Sequence, residues 1–102
     1  MIANLSDRTA YETKTAETLA VQALAWLAED ATRLGGFLAM TGAEAGTLRQ
    51  AAGDPAFLGA VMDFLLTDDA HVLGFAAAAD IAPETVAQAR AALPGGDLPH
   101  WT

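Results

Sequence analysis

The stretch Asp54 to Leu66, DPAFLGAVMDFLL, constrains the fold more than any other part of the chain, because it reads as a helix apolar around most of its circumference. Asp54 can accept an amide hydrogen bond from the first turn, and Pro55 needs no donor at the first helical position. Phe57, Leu58, Val61, Met62 and Leu65 then recur at helical spacing, with Phe64 and Leu66 widening the stripe. Only Ala56, Gly59, Ala60 and Asp63 form a narrow strip of small or charged residues. A helix with so little polar surface belongs at the centre of a bundle, where each large side chain buried contributes roughly 1.5–3 kcal/mol.

The rest of the chain supplies helices to surround it. Met1 to Thr15 is polar and weakly patterned, which predicts a loose arm or a frayed lead-in. The first firm helix is expected from about Thr15 to Glu29, with Leu19, Ala20, Ala23, Leu24 and Leu27 on one face and Trp26 beside them. Asp30 caps a second helix, Ala31 to Met40, that Gly42 ends. A short third helix covers Glu44 to Ala52 and packs through Leu48, and Gly53 closes it. Beyond the central helix, Thr67 or Asp68 caps a fifth helix to about Ala79, and Pro83 opens a sixth that Pro94-Gly95-Gly96 stops after Leu93. No segment alternates apolar and polar over strand length, so the fold class is all-α, a compact bundle of about six helices.

An offset of 38 residues aligns the two halves. Leu27, Asp30, Gly36, Phe37, Ala39, Thr47, Gln50 and Ala51 fall on identical residues 38 positions later, 8 identities in the 26 pairs from Leu27 to Ala52. This pattern predicts two tandem three-helix units, about 16–53 and 54–91, related by a pseudo-twofold with the first and fourth helices as the central pair. The domain reading is then an N-terminal arm 1–15, one helical domain 16–93 and a C-terminal tail 94–102. Gly36 and Gly74 sit inside helices, where glycine costs up to about 1 kcal/mol relative to alanine. Close packing against bare backbone would offset that cost; a backbone edge open to a ligand is the sharper alternative.

At 102 residues the chain suits one domain that buries roughly 60–70% of its unfolded surface. A formal charge of −8, from 13 acidic against 5 basic residues, argues against nucleic acid, whose binding draws on Lys and Arg clusters. No cysteine is present, which excludes disulfides and thiolate metal sites. The apolar runs are far shorter than the ~20 residues of a membrane helix, and MIANLSDRTAYETK lacks a basic start leading into an apolar run. A soluble cytoplasmic protein is the expectation.

Catalytic constellations are sparse. The one serine, Ser6, lies in the arm, and there is no Gly-x-Ser-x-Gly turn. Asp68, Asp69 and His71 suggest a partial metal site, but Asp68 is better read as a cap, and His71 falls opposite Arg33 as an ordinary first-turn surface partner of an aspartate. The expectation is therefore no catalytic residue, no metal and no cofactor.

Three features could carry recognition: the small-residue strip of Ala56, Gly59, Ala60 and Asp63; Trp101 in the tail, beside Leu98, Pro99 and His100; and Trp26, whose size suits the core or the rim of a groove. The runs AETLAVQALAWLAEDATRLGGFLAMTG, LRQAAGDPAFLGAVMDFLLTDD and ARAAL, most specifically LAED with RLGGFL and AAGDP with DFLL, resemble a small uncharacterised family of alphaproteobacterial helical proteins, a domain of unknown function, over about Ala16 to Leu93. The resemblance implies a bacterial, cytoplasmic, all-helical protein and carries no activity or site. The function expected is a non-catalytic helical interaction or accessory module that binds a protein partner or itself. The alternative is a binding module for a small apolar ligand between the two units, lined by Trp26, Met40, Met62 and Phe75.

Overall fold

Three aspartates start helices by the same local chemistry. Asp30 accepts the backbone N–H of Thr32 at 2.8 Å and of Arg33 at 3.1 Å, Asp54 that of Ala56 at 3.0 Å, and Asp68 that of Ala70 at 2.9 Å. Each carboxylate satisfies donors that the first turn cannot pair within the helix. The computed structural model describes residues 5–94, with side chains from Glu12 onward, and among them the backbone forms helices and turns only. In chain order these are α1 (Leu5–Ala28), α2 (Ala31–Thr41), a 3₁₀ turn (Ala45–Thr47), α3 (Leu48–Ala51), α4 (Pro55–Leu66), α5 (Asp69–Ala79) and α6 (Glu84–Ala91).

Helix ends are equally local. Gly42, at φ 75°, donates to the carbonyl of Leu38 and stops α2 in the left-handed conformation that glycine adopts without penalty. At the end of α5 the same conformation falls on Asp80, φ 59°. There Ile81 donates to the Ala76 carbonyl and Asp80 to that of Ala77, the paired bonds of a Schellman turn.

α4 packs against α1, α2, α5 and α6. Its Leu58, Val61, Met62, Phe64 and Leu65 are buried with Ala16, Ala20, Ala23, Leu24 and Leu27 of α1, Phe37 of α2, Phe75 of α5, Val86 and Ala89 of α6, and Leu93. The alanines of α1 leave room for close approach of the neighbouring helices. Leu66, expected to widen the buried stripe, is 40% exposed instead, because the chain turns away at Thr67.

Two expectations shift. α1 begins at Leu5 rather than near Thr15, so most of the expected arm continues the helix. The third helix is split, a 3₁₀ turn feeding the four-residue α3, while its counterpart α6 has eight residues and docks on both α1 and α4. Elsewhere the 38-residue offset is kept: α2 and α5 start and stop in register, as do the ends of α1 and α4.

Candidate functional site

The small-residue strip on α4 is the first place to look, and α6 occupies part of it. Arg90 donates from Nε to Oδ1 of Asp63 at 2.6 Å, from Nη2 to Oδ2 at 3.1 Å, and from Nη1 to the Pro94 carbonyl at 2.9 Å. Its guanidinium lies over Gly59: a Cβ placed there would stand 2.9 Å from Nη1 and 3.2 Å from the Pro94 oxygen. Gly59 is therefore buried beneath the end of α6 and is not open to a second chain, which corrects that part of the sequence reading. Ala60 is half-buried, and only Ala56 and Asp63 are exposed. Asp63 is taken up in the bidentate pair. Trp101 lies outside the described residues.

A second cluster forms where α1 and α4 meet α5 and α2. The Trp26 ring edge lies on Gly74 of α5, with a Cβ there only 2.9 Å from Trp26 Cζ2; Phe64 of α4 lies on Gly36 of α2, with the matching distance 3.3 Å. Adding 38 to one member and subtracting it from the other converts the first contact into the second. The same exchange relates Trp26 with Phe75, centroids 5.9 Å apart, to Phe64 with Phe37 at 5.6 Å. The two mid-helix glycines thus admit aromatic rings.

Arg33 and His71, expected as surface partners of Asp30 and Asp68, turn toward this cluster. The Arg33 guanidinium carbon sits 3.8 Å from the Trp26 ring centroid, and His71 stacks on Phe64 at 4.9 Å and meets Trp26 edge-on at 6.5 Å. The π-face attracts the cation and the backbone N–H groups occupy the aspartates, so the expected side-chain pairs do not form. Nε of Arg33 and Nδ1 of His71 are buried without a hydrogen-bond partner. Bonds from the Arg33 and Thr32 amides hold the Asp30 carboxyl below its ordinary value of 3.8. Asp68 and His71 point to different partners, and among the described residues no group of three His, Asp or Glu is placed to share a metal ion.

Trp26 and Phe75 border an open cleft of about 390 Å³ between α1 and α5, with Gln22 and Glu29 at its rim. Met40 is exposed and Met62 fully buried, so the four residues proposed to line a ligand chamber are not brought together. A groove of about 410 Å³ between α1 and α6 is lined by Glu12, Thr15, Ala16, Leu19, Thr85, Gln88, Ala89 and Ala92.

The outer face of α5 went unremarked in the sequence. Ala70, Leu73 and Ala77 are exposed there, Leu73 to 57%. The signal was the run VLGFAAAA, since a helix apolar on all sides at the edge of a bundle must leave part of itself in water. Among the described residues no helix is long and apolar enough to cross a membrane.

Residues 13–96 match the family model described as a protein of unknown function, DUF3572, and the chain belongs to that family. The match includes the stretch Ala16 to Leu93 on which the resemblance rested. No curated protein and no solved structure matches the chain.

Proposed function

We propose that the chain is a non-catalytic, cytoplasmic interaction module that binds a protein partner or a second copy through the outer face of α5. The observation that carries this reading is the apolar strip of Ala70, Leu73 and Ala77, in which a leucine stands 57% exposed between two small residues. Isolated exposed apolar residues are common, but a row of them at helical spacing offers a partner helix a continuous seat. The strip replaces Gly59 as the centre of the recognition surface, because Arg90 already covers that glycine.

The test is a tagged bait at natural abundance in the native host, compared with the same bait carrying Leu73→Asp and read by mass spectrometry. Leu73 packs little, so the substitution should leave the melting midpoint nearly unchanged, within about 0.5 kcal/mol of stability. A partner enriched with the wild type and lost with the variant supports the reading. Equal recovery of a partner with both baits removes α5 as the interaction surface.

A further inference from the structure

We infer that the partner seated on α5 is a cationic amphipathic helix, an inference that rests on the interaction reading above. At 100° per residue, Asp69, Ala70, Leu73 and Ala77 fall within an arc of about 100° of α5, and all four are exposed, as is Asp80, the left-handed residue that caps the helix. The strip is apolar along its length, with one exposed carboxylate in the first turn of α5 and another on the residue that caps it. The eleven residues of α5, at 1.5 Å rise, give the face a length of about 16 Å, three turns of a partner helix. Basic side chains near the ends of such a partner, with a large apolar residue on either flank of Leu73, complement this face in charge and shape.

Nothing on the helix neutralises those carboxylates from within. The five Lys and Arg residues are Arg8, Lys14, Arg33, Arg49 and Arg90, none of them on α5. Arg33 is held over Trp26 and Arg90 by Asp63. His71, the basic residue that α5 does carry, faces Phe64 and Trp26. The same charges disfavour a second copy. Antiparallel pairing of two α5 helices sets Asp69 beside the other copy's Asp80, parallel pairing sets like residues together, and each chain brings a net −8. A single-helix seat is small, so the complex is transient and its association rate falls with salt.

The experiment titrates the full-length, isotope-labelled chain with three synthetic amphipathic helices of about 18 residues, leucine with lysine, with glutamate or with glutamine, and follows backbone amide shifts. The lysine peptide should shift residues 69–80. Leu73→Asp should weaken it about tenfold or more, from loss of the buried leucine, although the added carboxylate would strengthen purely electrostatic adhesion. Asp69→Asn with Asp80→Asn should weaken it about threefold at low salt. Equal binding of all three peptides at α5 would overturn the cationic assignment and leave the interaction reading in place. So would a dimer, seen by sedimentation, that Leu73→Asp dissociates. No shift with any peptide and a monomer at all concentrations would overturn both.

Discussion

Replacing Gly74 by alanine sets two effects of similar size against each other. Alanine gains up to about 1 kcal/mol over glycine inside a helix. At Gly74, however, the new Cβ would meet Trp26 Cζ2 at 2.9 Å and Cη2 at 3.3 Å. The indole cannot swing aside freely, because Phe75, His71 and Arg33 surround it. Overpacking of this kind costs about 1–3 kcal/mol, so the net change is a loss of about 1 kcal/mol, a fall in melting temperature of roughly 4 °C for a chain of this length. Gly35 is the internal control, since it lies inside α2 with nothing within 4 Å of a Cβ; Gly35→Ala should stabilise by about 0.5–1 kcal/mol. Gly36→Ala falls between them, with the tip of Phe64 at 3.3 Å. The assay is urea unfolding followed by circular dichroism, with Trp26→Phe combined with Gly74→Ala as a double-mutant cycle. Shortening the ring should turn the Gly74 substitution from destabilising to stabilising. If Gly74→Ala alone stabilises as much as Gly35→Ala, Trp26 does not rest on that backbone.

Two further outcomes follow from the same geometry. Arg90→Ala should lower stability by about 1–2 kcal/mol through loss of the Asp63 pair, the Pro94 bond and the cover over Gly59, whereas Asp63→Asn should cost less than about 1 kcal/mol, since that carboxylate is half-exposed and screened; urea midpoints at low and high salt separate the two. The depressed Asp30 carboxyl gives stability that is fully present above its unfolded value of 3.8 and is lost as pH falls through its lower folded value. Stability measured from pH 5 to pH 2 should therefore fall less steeply in Asp30→Asn than in the wild type.

The parts legible in the sequence were those decided within one or two turns. Asp54-Pro55, Asp30, Asp68 and Gly42 act on amides and carbonyls a few positions away, so residue type alone fixed those helix ends. Leu5 to Lys14 carries no apolar period, yet it continues a helix already formed downstream, where each added residue needs only one more hydrogen bond. At Gly59 the cover comes from Arg90, 27 residues beyond Asp63, and no local pattern announces that pairing. Arg33 and His71 follow Trp26 and Phe64 by seven residues each, a spacing that reaches back across the helix turn and could have revealed their inward orientation. The open face of α5 escaped notice because an all-apolar run reads as buried, although the bundle has only one side on which to bury it.

The placement of α6 against both α1 and α4 also bears on how the chain is made. Its neighbours are synthesised first, and at 5–20 residues per second the interval between making the end of α1 and the start of α6 lasts roughly 3–11 s. Through that interval Ala16 of α1 lacks the wall that Val86 and Ala89 supply in the finished core, and from its own synthesis onward Met62 of α4 lacks it too. Until α6 is made, the faces of α1 and α4 that it covers have no partner of their own chain.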